Sequence, residues 1–533
     1  MRYDAVVVGG GHNGLVAAFY LARRGLRTLV LERRDLVGGA CVTESTWPGY
    51  RVSNAAYVLS LLRPAVLRDL KLRERGLRLD PLDPPYCSLY PDGRRLYVSN
   101  DTRQTCDEIA RFSRRDADEY PRMESYLRRL AGLLAPLFDS PPPDPALRRL
   151  RDLAGFVRLG GRALATRDSL AEMAWLFTTS ARQFLDERFE SEEVKALLAS
   201  QAVIANSVGP SAQGTAYVLL HHVAGEVAGG GWAWGFVRGG MGRVTEMMAE
   251  AAREAGAEIR TGVEVSRIVS RNGRVTGVAL DRGEEIAARI VLSNADPKRT
   301  FLGLVEPGAL DAPFLSAIRR YRCDGPIMKI NLAVGELPRL RSDTGSGVQP
   351  YHRSSIQICP SMESMERAAD EAKYGAPARE PMIEMCIPTV FDPSLAPPGR
   401  HIISILARYL PYRLREGSWD GIRDPVADRI LAQIGEYMPN LPGSILHREV
   451  LSPLDLERRY YLTGGHTAHG DMGPDQIFFL RPAPGYGSHR TPIAGLYLCG
   501  AGTHPGGGVA GACGRNCARQ VLGDLRTGIW SSG

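Results

Sequence analysis

Six residues near the start of the chain, Gly9-Gly10-Gly11-His12-Asn13-Gly14, limit its possible folds more than any other feature. They follow a short apolar run at 4–9 of the kind a parallel strand buried on both faces shows, and they open a helical stretch running to about Arg24. Gly9 permits a tight turn, Gly11 removes the side chain where backbone meets a pyrophosphate, and Gly14 lets the helix pack on the strand; His12 and Asn13 lie in the same turn. A second buried strand, 28–31, ends at Glu32, 18 residues after Gly14, where a carboxylate can accept both hydroxyls of a ribose. The expectation is a dinucleotide-binding βαβ unit with its pyrophosphate at the helix N-terminus. Glu32 argues against a 2′-phosphate, because the two anions repel, while Arg33 beside it keeps that alternative open.

At 533 residues the chain exceeds what one compact core supports, so a second or inserted domain is expected. With 44% apolar and 23% charged residues, neither a disordered nor a membrane-spanning class is favoured. The net charge of +7 invites a nucleic-acid reading. However, the cations are almost all arginine (lysine occurs only at 71, 195, 298, 329 and 373), and they are interleaved with 59 acids rather than clustered into a footprint. Nucleic-acid binding is therefore not expected. The first residues run straight into a strand, without a secretory leader, and no apolar run approaches the ~20 residues that span a bilayer. A cytoplasmic protein with reduced thiols follows, since its nine cysteines are odd in number and scattered.

Along the chain, 94–222 turns helical, broken by the proline-rich loop at 140–145. Residues 229–300 return to alternating character, with a helix from about Arg243, and Asn272-Gly273 marks a type I′ hairpin. Residues 495–502 form a last buried strand, followed by a helix from about Val509. The nucleotide pieces thus sit at both ends and in the middle. The expected architecture is α/β, a Rossmann nucleotide domain from 1–93, 229–300 and 481–533, with an inserted mixed α+β substrate domain from 94–228 and 301–480.

The doublet Gly38-Gly39, with Ala40 after it, resembles the second fingerprint of the FAD-dependent family with the glutathione-reductase-type nucleotide fold. The stretches from Gly240-Met241-Gly242-Arg243 to Ser293-Asn294-Ala295-Asp296-Pro297, and 495–518, are similar to the phytoene desaturase and carotenoid oxidoreductase superfamily. The segment 464–482 resembles most its branch of carotene ketolases and pyridine nucleotide-disulfide oxidoreductase domain-containing proteins. The resemblance implies FAD as cofactor. It also implies that Val265 contacts adenine through its backbone and that Gly500, Thr503, Gly508 and Val509 line the ribityl and pyrimidine side of the flavin. Disulfide reductases of this fold need a close cysteine pair after the glycine doublet, and only Cys41 is present. Cys513 and Cys517 read better as buried small hydrophobes.

His466, His469 and Asp471 form the densest polar cluster of the substrate region, with His504 in the flavin loop. The three histidines are the candidate proton-transfer residues, against the plainer reading that they satisfy loop backbone. Their spacing supplies no defined metal geometry, and no metal is expected. The basic, apolar segment 145–167 has two readings, a membrane-surface contact that admits a lipophilic substrate or a solvated helical face over a tunnel. A homodimer stays open. Trp232, Trp234, Tyr460, Tyr461, Phe478 and Phe479 are candidate pocket aromatics. Three functions compete: FAD-dependent dehydrogenation of a lipophilic or secondary-metabolite small molecule by hydride transfer to flavin N5, oxidation of an amine or amino acid, and non-catalytic binding on a flavoprotein fold like that of GDP-dissociation inhibitors.

Overall fold

The computed structural model describes residues 3–143, 153, 155, 157, 167–225, 234–343, 345 and 347–528. The segment 145–167 falls almost wholly outside them, and Trp232 does as well.

The apolar runs become the middle of one sheet. Tyr3–Val8 pairs in parallel with Thr28–Leu31 on one side and with Glu285–Ser293 on the other. Glu258–Arg260 extends the layer beyond the former and Leu496–Leu498 beyond the latter, both again parallel. Each parallel neighbour needs a crossover, so the chain must leave the layer and return to it. Glu285–Ser293 changes partners along its length: its first residues run antiparallel to Arg274–Leu280, and from Ala288 it runs parallel to the first strand. The hairpin between Val265–Arg271 and Arg274–Leu280 turns at Asn272 (φ 50°) and Gly273 (φ 71°), the two positive angles a type I′ turn requires.

Helix His12–Ala22 is buried on nearly all sides, packed on helices Gly242–Glu254 and Ala512–Arg526 as well as on the sheet. A Cβ on Gly514 would stand 2.0 Å from the carbonyl oxygen of Asn13, so the last helix crosses the first at a separation only glycine allows. That last helix starts at Ala512 rather than near Val509, because Gly511 enters it in the left-handed region (φ 68°). Val509 stays in the loop.

The second sheet has the order Ile445–Leu451, Ile327–Val334, His401–Arg408, Ile383–Cys386, Ser355–Ile358, Tyr86–Leu89, Arg95–Val98. The boundary expected at 93/94 falls inside the last hairpin, and both its strands go with this sheet. One face, with Met328, Ile330, Ile403, Ile405 and Met385, joins a core with helix Trp419–Tyr437. The opposite face carries Lys329, Asn331, Ser404, Arg408 and Glu384, all of them buried. Polar side chains on a buried face need partners, whether from the protein or from a ligand. Helices Arg114–Phe138, Glu192–Ala202 and Thr215–Val223 contribute to a further core that includes Tyr120, Leu127, Leu197 and Tyr217. Among the described residues no helix is long and apolar enough to cross a membrane.

Candidate active site

A cavity of about 330 Å³ is bordered by residues of both sheets. At its nucleotide end the glycines are shaped by one side chain. A Cβ at Gly11 would lie 2.7 Å from Asn294 Nδ2, one at Gly9 3.4 Å from Asn294 Cβ, and one at Gly14 2.3 Å from the Gly9 carbonyl oxygen. Asn294, held by its amide on the Val8 carbonyl at 2.9 Å, therefore closes the turn from below. Gly11 caps the helix without a side-chain acceptor, which leaves the first-turn amides to a ligand. Glu32 accepts the amides of Gly10 (2.7 Å) and Arg34 (2.9 Å). Burial raises its carboxyl above the usual range, against the pull of those two amides. The doublet lies alongside: Gly11 bridges to Gly38, and Gly39 (φ 61°) approaches the Gly11 Cα. Arg33 lies with its guanidinium carbon 3.5 Å from the ring centroid of Tyr461, and Arg299 lies 4.3 Å from the same centroid. The Tyr461 hydroxyl donates to Glu264 at 2.7 Å. Ala40, Val265, Gly508 and Val509 also border the cavity, whereas Gly14, Gly500, Thr503 and His504 stand outside its wall.

At the other end the wall is Tyr57, His222, Trp234, Lys329, Leu406 and Arg408. Lys329 Nζ donates to Asn331 Oδ1 (2.8 Å) and Ser404 Oγ (2.6 Å), beneath the ring of Tyr57 at 5.1 Å. Burial pushes its ammonium down to about 7, with Glu449 pulling the other way. A neutral lysine has two N–H groups and one lone pair. In that form Asn331 and Ser404 can take both N–H groups, and the lone pair has no assigned partner.

The three candidate histidines separate. His466 accepts the amides of Ala468 and Gly470 on Nδ1 (3.2 Å each), so its proton is on Nε2 and goes to Asp471 Oδ1 at 3.1 Å. Both nitrogens are committed to the loop. His504 shares Nε2 with the Leu137 carbonyl at 2.8 Å and packs on Phe478. His469 borders the cavity with Nδ1 buried and unpartnered, and burial lowers its pKa to about 4. His12, with Nε2 also unpartnered, is likewise lowered to about 4 by burial. The loop is fixed by Arg481, fully buried, which donates to the carbonyls of Ala468, Gly470, Asp471, Gln476 and Ala501. Of the candidate aromatics, Trp234, Tyr460 and Tyr461 border the cavity and Phe478 and Phe479 do not. All nine cysteines are free, and burial raises the Cys41 thiol to about 12 and the Cys513 thiol in the same direction. Among the described residues no group of His, Cys, Asp or Glu is arranged to hold a metal ion.

Comparison with known proteins names the cofactor class. The profile of the family described as flavin containing amine oxidoreductase matches residues 14–522. The chain belongs to that family. It is similar to pyridine nucleotide-disulfide oxidoreductase domain-containing protein 2 of Mus musculus, at 43% identity over 98% of this chain and 94% of that one. It is also similar to the lycopene-forming phytoene desaturase of Pseudescherichia vulneris, at 25% identity over 98% of this chain and 99% of that one. Cyclohexylamine oxidase of Brevibacterium oxydans IH-35A shares the fold, with a TM-score of 0.59 at 16% identity covering 99% of this chain and 100% of that one. As a member of the flavin-containing amine oxidoreductase family, the chain is an FAD-dependent oxidoreductase, which sets the non-catalytic reading aside. The residues present fit FAD: a glycine-rich turn, the buried carboxylate of Glu32 at the end of the next strand, and the unpartnered nitrogens of His12 and His469 along the same wall.

Proposed function

We propose that this enzyme dehydrogenates a lipophilic or secondary-metabolite substrate, forming a double bond, with Lys329 as the proton acceptor. When bound, FAD supplies the two-electron acceptor, taking a hydride at N5. The substrate loses two hydrogens: one leaves with its bonding pair as the hydride, and the other leaves as a proton to Lys329 Nζ. What supports this reading is the buried amine of Lys329, whose two polar partners would leave the lone pair of its neutral form unoccupied. The amine lies at the wall of a cavity that also holds the glycine turn, and its burial brings it near neutrality. Asn331 and Ser404 hold the amine in place before and after it takes the proton. Val58, Leu61, Ile204, Trp234 and Leu406 supply the apolar surroundings that exclude water from the reacting bond. In the nucleotide half, Gly9, Gly11, Asn13, Glu32, Gly38, Gly39 and Val265 hold the dinucleotide, and Gly508 and Val509 approach the flavin edge.

A second reading, oxidation of a C–H bond beside nitrogen, draws support from the family description and uses the same base. The test is an absorption spectrum of the purified protein followed by anaerobic titration with polyenes, saturated terpenoids, fatty acids and small amines. Bleaching by a lipophilic substrate supports dehydrogenation, and bleaching with peroxide release only by small amines selects the second reading. If none of these compounds reduces the bound flavin, both readings fail.

A further inference from the structure

Arg408 ends the strand His401–Arg408, is 6% exposed and forms part of the cavity wall. Its backbone amide donates to the Met382 carbonyl at 2.9 Å, but among the described residues its guanidinium makes no hydrogen bond and no ion pair within 4 Å, and Nε is buried without a partner. A buried guanidinium left this way is among the costliest arrangements a protein can hold. The same fold satisfies the fully buried Arg481 with five carbonyls.

One acid stands beside it without pairing: the register sets Glu384 opposite Leu406, a diagonal neighbour of Arg408 on the same face. Glu32 and Glu264, the two carboxylates that border the cavity, are engaged by the Gly10 and Arg34 amides and by Tyr461. On the Arg408 side, Glu384 takes the Tyr57 hydroxyl on one oxygen and keeps the other buried without a partner, and Glu449 takes Asn54, Asn331 and Arg459. His222 is kept neutral by burial, its pKa lowered to about 4. Lys329 sits on the same sheet face, because the antiparallel register sets Ile327 opposite Arg408 and Lys329 opposite Leu406. The guanidinium and the Lys329 amine, which burial holds near neutrality, are therefore diagonal neighbours, about 7–8 Å apart at the backbone.

We propose that the substrate is a monocarboxylate with an apolar body, its carboxylate paired with Arg408 and its chain lying along Val58, Leu61, Ile204, Ile327 and Leu406. The proposal rests on the reading of this cavity as the place of dehydrogenation. One guanidinium balances one carboxylate and offers it a bidentate pair, whereas a phosphate dianion would leave a charge uncompensated. A cationic amine would be repelled by the guanidinium.

The test uses the FAD-loaded enzyme titrated with decanoate, 1-decanol, decyl phosphate and decylamine, with binding read from perturbation of the flavin absorption bands. Decanoate should bind at least about 30-fold more tightly than the alcohol, and Arg408→Gln should abolish that preference. Arg408→Met should also unfold at a temperature no lower than the parent without ligand, since it removes an unpaired cation. Equal binding of acid and alcohol, tighter binding of decyl phosphate or decylamine, or a preference that survives Arg408→Gln would overturn the proposal. So would an Arg408→Met protein that is less stable than the parent, because that marks a structural arginine. The two readings fail separately. If decanoate binds through Arg408 and no substrate bleaches the flavin, dehydrogenation is wrong; if an uncharged terpenoid bleaches it and carboxylates gain nothing, the monocarboxylate is wrong.

Discussion

Lys329 lies in the run IMKINLAVG, where a strand buried on both faces hides the distinction between its two sides. Its chemistry comes from the partners, Asn331 two residues on and Ser404 across the sheet. If its lone pair takes the proton, flavin reduction at saturating substrate should rise as pH passes about 7 and level off above it, because the protonated form has no acceptor. Lys329→Met should slow reduction by about 10²–10⁴-fold with the flavin spectrum intact, and Lys329→Arg, always charged, should not restore it. A flat profile from pH 6 to 9 would remove Lys329 from the reaction. The sign for stability is opposite to that of a lysine in an ion pair. The folded pKa lies below the unfolded one, so between about 7 and 10.4 the unfolded chain binds more protons and stability rises with pH. None of this was legible in the sequence, where His466, His469 and His504 were the visible titratable groups. Which ring nitrogen a loop occupies depends on tertiary placement, and two of those rings turned out to serve backbone.

At the scale of elements, the first strand, turn and helix were readable because each local signal agreed with the next: apolar run, spaced glycines, carboxylate at the following strand end. Asn294 lies in the block 293–297, but its place beneath the turn depends on a parallel pairing between strands more than 270 residues apart, which periodicity cannot reveal. The glycines should respond differently to substitution. A methyl on Gly14 meets a backbone carbonyl that cannot give way, whereas one on Gly11 meets the far end of the Asn294 side chain. Gly14→Ala should therefore cost about 1–3 kcal/mol in unfolding experiments whatever stands at 294. Gly11→Ala should regain stability and flavin content when combined with Asn294→Ala. If Asn294→Ala rescues both substitutions equally, this account of the turn fails.

Across the whole molecule, a parallel layer with strands from both ends and the middle of the chain was legible from where the cofactor motifs fall. The split of the first hundred residues was not, since Tyr86–Leu89 and Arg95–Val98 declare their sheet only through pairing with Ser355–Ile358. The cavity wall draws on residues from 8 to 509, so a ligand there ties together segments that have no local reason to stay associated. FAD that binds only the folded chain adds RT ln(1 + [L]/Kd), about 4 kcal/mol at a thousandfold excess over Kd. Flavin-stripped protein should melt several degrees lower than the loaded form and be cut faster by protease. Identical melting of the two forms would show that the cofactor does not brace the fold.

The strand Leu496–Leu498, at the edge of the parallel layer, also sets a timetable for synthesis. Its neighbour Glu285–Ser293 and the first strand leave the ribosome long before it does, and at about 5–20 residues per second the first strand waits roughly 25 to 100 s for the layer to close. During that interval the nascent chain exposes an apolar strand edge and an unfinished cofactor groove. A long-lived open edge, and a cofactor groove completed late in synthesis, follow from where one three-residue strand falls in the chain.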